Sequence, residues 1–288
     1  HKLRCTDARR HPGGGGINVA RVLHRLGAAT LALYPAGGAT GHELHRLLRD
    51  EQLPHHAMVI AGETRTSFTA HEACSGQDYR FVLPGPRLAE TEWQACLAWL
   101  AAQRPAPVWL VASGSLPPGV PDDFHARLAR LAHTQGSRLV LDSSGPALAA
   151  ALAQGVDLVK PSLRELRDLT GLPLLTRAEQ LAAARGLVTR GQARRVALSL
   201  GDQGALLVTA GTAHFAPALP VPVASTIGAG DSFLAGLLWA LDRGDGPDTA
   251  LRYGMAAGAA ALLSAGTALS QATDVQRLFH EACARPAD

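Results

Sequence analysis

Short apolar runs alternate with amphipathic stretches along most of the chain. The run "LALYPAGG" (31–38) predicts a strand that ends in a turn, and residues 41–52 predict a helix. The runs "VWLVASG" (108–114), "RLVLDSSG" (138–145) and "VDLVKPS" (156–162) predict further strands, each followed by a predicted helix. Strands that alternate with helices over such a length predict a parallel sheet covered by helices on both faces.

Two stretches depart from this alternation. Residues 58–85, from "MVIA" to "DYRFVLPG", contain short β-type runs interrupted by Gly and Pro, which predicts a meander. A meander does not fit a parallel sheet, so we expect it to form a small β flap, or lid, beside the mouth of a site. After Ala229 the pattern is helical almost to the end of the chain.

The composition is that of a globular protein, with 288 residues of which 47% are hydrophobic and 18% charged. The sequence has no internal repeat, low-complexity tract or linker, so we expect a single domain over residues 1–288, with lid segments at about 1–12 and 58–85. The net charge of +3, without a long basic run, argues against nucleic acid as a partner. The most apolar stretches, such as "FLAGLLWAL", are too short to span a membrane.

The cysteine and lysine positions add two smaller indications. The four cysteines are scattered without a C-x-x-C pair: Cys5, Cys74, Cys96 and Cys283. This spacing fits a reducing compartment better than a disulfide framework or a zinc site, and we expect a cytoplasmic protein. Only two of the 27 lysine and arginine residues are lysines, Lys2 and Lys160. A lysine retained in such an arginine-rich chain hints that a compact, flexible ammonium is needed there, although chance explains either one equally well.

Polar and glycine-rich clusters follow the predicted strands at their carboxyl ends. The clusters are residues 113–115, 142–145, 160–162 and 199–201. In sheets of this kind, ligands bind at the carboxyl ends of the strands. Strand ends also need turn residues for their own sake, but four clusters on one rim favour a binding site.

Four consecutive glycines, Gly13–Gly16, precede "INVARVLHRLG", an apolar pattern with helical spacing. One explanation is a plain loop into a helix, because glycine tolerates positive φ and close backbone approach. The other is a site for an anion or a polyol, because uncovered N–H groups at a helix N-terminus attract such ligands. The run is not a Walker loop, since no Gly-Lys-Ser/Thr follows it.

The strongest motif is "STIGAGDSFLAGLLWAL", residues 225–241. Gly228, Ala229 and Gly230 leave backbone N–H groups uncovered at a predicted helix start, and Asp231 lies in the first turn. Asp231 is either a carboxylate that favours the helix start or a base that takes a proton from a hydroxyl group. In the second case the amides stabilise developing negative charge. Phosphoryl transfer to an alcohol requires both a base and groups that stabilise this charge.

The motifs "GGGGINVARVLHRLGA" and "STIGAGDSF" resemble the paired signatures of the ribokinase-like (PfkB) carbohydrate kinases. The blocks "ASGSLPPGVP", "LDSSGPAL", "LVKPSLREL" and "SLGDQGALLV" match between them in the expected order, so the resemblance covers essentially the whole chain. It implies an α/β fold, namely a ribokinase-like three-layer sandwich with a mostly parallel central sheet and a small β lid. It also implies ATP-dependent phosphoryl transfer to a sugar.

Within that family, the four-glycine run, the opening "KLRC" and "DYRFVLPG" are most similar to members that convert fructose 6-phosphate to fructose 1,6-bisphosphate in glycolysis. Members that phosphorylate fructose 1-phosphate or tagatose 6-phosphate usually have a lysine inside the glycine run, and both activities remain alternatives. A sugar-phosphate-binding protein without activity, or an inactive fragment, is the non-enzyme alternative. A Rossmann dehydrogenase is disfavoured, because no G-x-G-x-x-G follows the first strand.

The resemblance implies a role for each motif residue. Asp231 is the implied base for the sugar hydroxyl, and Gly228, Ala229 and Gly230 form the implied anion hole. The residues implied to bind the sugar phosphate are Lys2, Arg4, Gly14, Gly15, Asn18, Arg65, Arg80 and Ser115. The residues implied to bind ATP are Lys160, Ser162, Ser199, Gly201, Gly204, Gly228 and Gly230. Of the residues for the sugar phosphate, Lys2 and Arg4 are implied to lie in a lid strand and to reach the sugar phosphate in the partner subunit of a homodimer.

The implied cofactors are Mg²⁺, bound with ATP, and K⁺. Glu165 is implied to orient Mg²⁺ through water. The implied K⁺ loop uses backbone atoms of Ser225, Ile227, Ala261, Ser264 and Gly266.

Three departures from the family pattern matter. The K-P-N-x-x-E block has Ser162 in place of Asn, which bears on magnesium affinity rather than on activity. The D-T-x-G-A-G-D block begins with Ser225 in place of Asp, so K⁺ would depend on backbone carbonyls. The family's first strand and its sugar-binding Asp are not matched, and we expect both upstream of His1, because a sheet without an inner strand leaves backbone groups unpaired.

Overall fold

The computed structural model describes residues 4–72, 74–75 and 77–284. The helices of this part of the chain are α1 (Gly15–Arg25), α2 (Gly38–Asp50), α3 (Glu90–Ala101), α4 (Phe124–Gln135), α5 (Gly145–Leu152), α6 (Leu163–Thr170), α7 (Arg177–Thr189), α8 (Ala229–Asp242), α9 (Pro247–Leu262) and α10 (Ala272–Ala284). The strands are β1 (Ala32–Ala36), β2 (His55–Val59), β3 (Ser67–Glu72), β4 (Gln77–Val82), β5 (Trp109–Ser113), β6 (Arg138–Asp142), β7 (Val156–Val159), β8 (Ala193–Ser199), β9 (Ala205–Thr209) and β10 (Ala213–Ala216).

The main sheet has six strands in the order β10-β9-β8-β7-β6-β5. Strands β5 to β8 are parallel, whereas β9 and β10 are antiparallel to their neighbours. A single 3₁₀ turn, Gly201–Gln203, joins β8 to β9, and so short a connection permits only antiparallel pairing. The predicted α/β fold with a mostly parallel sheet is confirmed.

Strands β1 and β2 form a separate parallel pair, which corrects one sequence prediction. The sequence predicts a single meander over residues 58–85, but Met58 and Val59 belong to β2 and pair with β1. Only β3 and β4 form an antiparallel hairpin, in which Ser67 lies opposite Val82. The helix α2 provides the crossover that the parallel pair β1–β2 needs. Strand β10, four residues long, was not predicted from the sequence.

Successive side chains of the central strands point into two separate cores. In β6, Leu139 and Leu141 pack with residues of α4 to α7, whereas Val140 packs with residues of α1, α8 and α9. All three side chains are fully buried. A strand buried on both faces has to be apolar throughout, which explains the continuous run "LVL". A helix layer, the sheet and a second helix layer form the predicted three-layer sandwich.

Strands β1 and β5 line the same cleft, although they belong to different sheets. Tyr34 of β1, Val111 of β5 and the glycine run all border it. In the described part of the chain, no strand pairs with the outer edge of β5. The cleft has a volume of about 2630 Å³, well above the ~300–1,000 Å³ of ordinary ligand sites. It therefore comprises both a substrate-sized mouth and the space between the two sheets.

Helices α8 and α9 pack closely, and their contact depends on Gly236. A Cβ at Gly236 would lie 2.5 Å from the carbonyl oxygen of Tyr253 and 2.6 Å from Cβ of Ala257. The glycine therefore fixes the position of α8, whose N-terminus lies at the rim of the cleft. Both helices are apolar, but none of the helices in the described ranges is long and apolar enough to cross a membrane.

Gly236→Ala is expected to lower the free energy of unfolding by about 1–3 kcal/mol, because the added methyl group has no space. The matched control is Gly258→Ala in α9, where the atom nearest to an added Cβ is 3.4 Å away. There the stability should rise by up to ~1 kcal/mol, since alanine is the better helix former. Urea unfolding of both variants measures the difference, and equal effects would contradict the packing argument.

Candidate active site

Two helices that are far apart in the sequence begin at the same place on the rim. Near the start of α1, Nδ2 of Asn18 donates a hydrogen bond of 2.8 Å to Oδ2 of Asp231, in the first turn of α8. Asn18 is buried and Asp231 is half-buried. The glycine-rich motif near the start of the chain and the "GAGD" motif therefore lie in one site.

The glycine run has two positions at which the structure requires glycine. Gly14 precedes α1 at a φ of 118°, which side chains rarely adopt. A Cβ at Gly15 would lie 2.3 Å from Oγ of Ser113, at the end of β5. Gly13 and Gly16 have open space where a side chain would be, and the whole run borders the cleft. Bare backbone is thus presented to whatever occupies the cleft.

The start of α8 combines helix N–H groups with a cation. Gly228 precedes the helix at a φ of 76°, and Cδ2 of Leu269 lies 2.3 Å from where its Cβ would be. A Cβ at Gly230 would lie 3.6 Å from Nζ of Lys160, so the ammonium group lies beside the first turn. The first N–H groups of a helix have no intrahelical acceptor. This helix end is suited to an anion.

A carboxylate holds Lys160 in place. Nζ of Lys160 lies 3.0 Å from Oδ1 of Asp142, and both side chains are largely buried. Oγ of Ser113 donates to Oδ2 of the same carboxylate over 3.3 Å. The sequence places Asp142 in a cluster on the rim without indicating a role for it, because an Asp after the run "RLVL" is also an ordinary turn residue.

Burial raises the pKa of Asp231 above its ordinary value. The hydrogen bond from Asn18 and the charges of Lys160 and Arg80 oppose this rise, because they favour the ionised form. Burial also raises the pKa of Asp142 in spite of Lys160, and the negative charge of Asp231 adds to the rise. A carboxylate with a raised pKa accepts a proton more readily, as a general base must.

Most of the residues predicted to bind the sugar phosphate line the cleft together with Asp231. They are Arg4, Gly14, Gly15, Asn18, Arg65, Arg80 and Ser115. Arg80 lies on β4 of the hairpin, opposite Thr69. Lys2 lies outside the described residues. A lid strand was predicted around Arg4, but residues 4–12 form no strand. In the described part of the chain, the hairpin β3–β4 is a two-stranded sheet, and neither of its edges pairs with these residues.

The residues predicted to bind ATP lie at the ends of β7 and β8 and at the start of α8. Ser162 and Ser199 form an isolated parallel bridge that extends these strands to the rim. Gly201 is exposed at a φ of 63°. Gly204 is buried, and a Cβ there would lie 2.1 Å from the carbonyl oxygen of Ala216. The fold alone explains Gly204, and nucleotide binding by these residues stays a prediction.

The oxygen donors next to Lys160 fit a magnesium ion held through water. Ser162 caps α6, since its Oγ accepts the N–H of Glu165 over 3.3 Å. In return Oε2 of Glu165 accepts the N–H of Ser162 over 2.7 Å. Glu165 and Asp142 both line the cleft. Mg²⁺ keeps several of its waters and binds through one or two carboxylates together with substrate phosphates, so this donor set fits it.

The segments predicted to bind K⁺ lie together behind the start of α8. Ser225 is buried, its backbone bonds to the end of α9, and its Oγ accepts the N–H of Ile227 over 3.3 Å. In the last turn of α9, the carbonyl of Ala261 accepts the N–H of Ser264 over 3.1 Å, and after the helix Gly266 turns the chain at a φ of 60°. Backbone carbonyls of this kind are oxygen donors suited to a hard cation.

Comparisons with known proteins bear on this site. A family model described as "pfkB family carbohydrate kinase" matches residues 1–274. An ATP-dependent 6-phosphofructokinase isozyme 2 of Mycobacterium tuberculosis is 46% identical over 287 residues, which are 100% of this chain and 84% of that protein. A 1-phosphofructokinase of Xanthomonas campestris is 37% identical over 242 residues, which are 83% of this chain and 76% of that protein.

Solved structures of phosphofructokinase-2 from Escherichia coli have the same fold. One, in complex with potassium, has a TM-score of 0.93 and 41% identity, and the match covers 98% of this chain and 92% of that one. Another, a tetrameric inhibited form, has a TM-score of 0.91 and 41% identity over 98% of this chain and 91% of that one. The ribokinase-like fold expected from the sequence is thereby confirmed.

A reaction in which Asp231 accepts a proton is expected to lose rate as the pH falls, because the protonated carboxyl group is no longer a base. Since burial raises the pKa of Asp231, the loss begins at a higher pH than for an ordinary carboxyl group. In Asn18→Leu the carboxylate loses a hydrogen bond that favours its ionised form, so the acid limb of the kcat profile shifts to higher pH. ATP-dependent turnover across the acid range measures the shift, and a limb at the parent's pH would contradict it.

Proposed function

The chain belongs to the PfkB family of carbohydrate kinases, and on that premise we propose that it transfers the γ-phosphate of ATP to fructose 6-phosphate, giving fructose 1,6-bisphosphate. The observation that supports this most is the hydrogen-bonded Asp231 at the start of α8, beside Lys160. A base, an anion-binding helix end and a cation are what phosphoryl transfer to an alcohol needs. The choice of sugar is supported by the greater identity to the 6-phosphofructokinase than to the 1-phosphofructokinase.

In the proposed reaction, a carboxylate oxygen of Asp231 accepts the proton of the sugar hydroxyl as the hydroxyl oxygen attacks the γ-phosphorus. The bond between that phosphorus and the β–γ bridging oxygen breaks, and ADP leaves. The N–H groups at the start of α8 donate to phosphoryl oxygens as negative charge develops on them. The ammonium group of Lys160, held by Asp142 beside the first turn of α8, would neutralise charge on the phosphates. The protein forms no covalent bond, so catalysis depends on positioning and on charge.

Asn18 supports the binding of a polyol. Its Oδ1 is buried and has no hydrogen-bond partner in the described part of the chain. A buried acceptor without a partner is costly, and a sugar hydroxyl that donates to Oδ1 would satisfy it while Nδ2 stays on Asp231. The uncovered backbone of Gly13–Gly16 borders the same cleft and leaves room for a sugar.

The arginines of the cleft support a sugar that already has a phosphate group. Arg4, Arg65 and Arg80 all line the cleft and are exposed to it. A guanidinium group matches a phosphate with two parallel hydrogen bonds, and an uncharged sugar would not need several of them. The charge of Arg80 also opposes the rise in the pKa of Asp231, which supports a hairpin that lies near the reacting end of the cleft.

Two cations are proposed. Magnesium, bound with ATP, would be held by Glu165 and Asp142 through water, and it neutralises phosphate charge when bound. Potassium would be held by backbone carbonyls of residues 225–227 and 261–266, and the potassium complex of the Escherichia coli enzyme supports this. Ser225 offers no carboxylate for that site, so the carbonyls would be its main donors.

The hairpin β3–β4 supports a homodimer formed through the lid. Its large apolar side chains are exposed: Phe68, Tyr79, Phe81 and Val82 are each 46–54% exposed. The rings of Phe68 and Phe81 stack with their centres 4.7 Å apart. An isolated hairpin is marginally stable and its open edges invite pairing. A second copy of the hairpin would cover this surface. We also propose that the chain forms one kinase domain, of which the hairpin is the lid.

A cytoplasmic location is the remaining part of the proposal. The four cysteines are all free thiols in the structure, which suits a reducing compartment. The substrates, ATP and a sugar phosphate, suit the same compartment.

The release of ADP with fructose 6-phosphate, fructose 1-phosphate and tagatose 6-phosphate tests the function. We expect the highest kcat/KM with fructose 6-phosphate, and a preference for either other sugar would reassign the substrate. In Asp231→Asn, kcat should fall by about 10²–10⁴-fold, because the amide cannot accept the proton. The affinities for ATP and the sugar phosphate should change little, since the loss belongs to the transition state.

Thermal melting of the same variant separates a base from a residue that only supports the helix start. Burial raises the folded-state pKa of Asp231 above its unfolded value. Stability from this group is therefore greatest below the unfolded pKa and falls as the pH rises towards the folded pKa. Above the folded-state pKa the full penalty is present, so Asp231→Asn should not lower Tm there. A variant that keeps turnover within about tenfold of the parent would exclude Asp231 as the base.

Phe81→Glu is expected to shift the protein from dimer to monomer in sedimentation velocity and to raise the KM for the sugar phosphate, because a charge in an apolar interface is costly. Val59→Glu is the matched control, since Val59 is 85% exposed on β2, outside the hairpin. A parent protein that sediments as a stable monomer would contradict the dimer, as would a Phe81→Glu variant that remains dimeric.

A further inference from the structure

A fully buried arginine lies one turn after Asn18 in α1. Arg21 is 1% exposed, and each nitrogen atom of its guanidinium group donates at least one hydrogen bond. Nε and Nη2 donate to the two carboxylate oxygens of Glu51, over 2.8 and 2.5 Å. Nη1 donates to the carbonyl of Pro12 over 3.0 Å and to that of Thr267 over 3.1 Å. One side chain thus joins the segment before the glycine run to the loop after α9.

A second arginine extends this cluster along the same loop. Nη1 of Arg25 donates to the carbonyls of Ala268 and Ser270, over 2.6 and 3.2 Å, and Nη2 lies 3.5 Å from Glu51. The arginines of α1, anchored on one carboxylate, therefore hold three carbonyls of the loop 267–270. A buried charge of this kind persists only when every donor has a partner.

The residue between these carbonyls lies against the anion-binding end of α8. Leu269 is fully buried and has a φ of 64°, which is uncommon for any residue other than glycine. Its carbonyl accepts a hydrogen bond of 2.9 Å from Oγ of Ser264. Its Cδ2 fills the space next to Gly228, where a side chain would otherwise lie. A backbone conformation as uncommon as that of Leu269 persists only where surrounding contacts fix it.

We propose that the cluster Arg21–Glu51–Arg25 is a positioning device for phosphoryl transfer. It fixes the loop 267–270, and through Leu269 it fixes the backbone of Gly228 at the start of α8. Because Arg21 also binds the carbonyl of Pro12, the same contacts set the glycine run relative to that helix end. This proposal rests on the proposed kinase function.

The geometry gives the device a specific effect. The N–H groups at the start of α8 stabilise charge that develops in the transition state, and shifts of about 1 Å in such groups can reduce the rate by ~10²-fold. Through Leu269 the loop 267–270 contacts Gly228 at the start of α8, whereas Ser162 and Ser199, which are also expected to bind ATP, extend β7 and β8. Loss of the cluster should therefore lower kcat by a larger factor than it raises the KM for ATP.

The test compares the two arginines of the cluster with a third arginine that forms an ion pair on an exposed helix face. Arg21→Lys and Arg25→Lys keep the charge but lose the fork that reaches a carboxylate and carbonyls together. Arg46→Lys is the control, because Arg46 forms a two-pronged pair with Glu43, at 3.0 and 2.9 Å, on an exposed face of α2. We expect kcat to fall by about tenfold or more in Arg21→Lys, by less in Arg25→Lys, and not in Arg46→Lys.

Hydrogen exchange provides a readout that does not depend on activity. In the two cluster variants, amides of residues 228–232 and 264–270 should exchange faster than in the parent, while amides of β6 and β7 should not. If Arg21→Lys does not fold, Arg25→Lys supplies the same comparison, since Arg25 is only partly buried.

A purely structural role predicts a different pattern. The cluster variants would then lose Tm, but kcat per folded molecule and exchange at residues 228–232 would match the parent, and this result would overturn the proposal. A parent that does not phosphorylate fructose 6-phosphate would remove the proposed function instead. In that case the exchange of residues 228–232 still decides whether the cluster positions the start of α8.

Discussion

The hydrogen bond between Asn18 and Asp231 depends on two helices that begin at one point, although 213 residues separate their side chains in the sequence. The sheet makes this possible, because the carboxyl ends of its parallel strands share one rim. The close contact at Gly236 then fixes where α8 begins. The burial that strengthens the hydrogen bond also raises the pKa of the carboxyl group. Packing and basicity at Asp231 are therefore consequences of the same enclosure.

The layered fold could be predicted from the sequence because strands buried on both faces are apolar throughout. "RLVL" gave β6 correctly for that reason, and "VDLV" gave β7 correctly because it is apolar apart from the buried Asp157. The pairing of "MVIA" with β1 could not be found in this way, since an edge strand and a meander strand have similar short apolar patterns. Strand β10 was missed because its sequence, "AHFA", contains no β-branched residue and no apolar run. Which strands pair is decided by crossover helices and turns rather than by the strands alone.

The site was predictable where a motif has an unusual local composition, as in the glycine run and around Asp231. The site was not predictable where a side chain depends on partners from distant segments of the chain. Asp142 resembles any turn residue until the structure places Lys160 at 3.0 Å from it. Arg21 is one of many arginines in the sequence, and only its burial and its bonds to Glu51 distinguish it. Contacts between distant segments leave no periodic signal in a single sequence.

The departures from the family pattern show which tasks need a particular side chain and which the backbone can perform. Ser162 has a hydroxyl group in place of an amide, and this hydroxyl caps α6 and fixes Glu165 by a reciprocal hydrogen bond. Ser225 has no carboxylate, yet its buried Oγ holds the N–H of Ile227, so the turn before α8 keeps its course. No hydroxyl or backbone group could replace Asp231 in the same way, because neither accepts a proton at neutral pH. The proposed proton acceptance therefore depends on one side chain, whereas the loops proposed to bind ions and nucleotide depend on the course of the backbone.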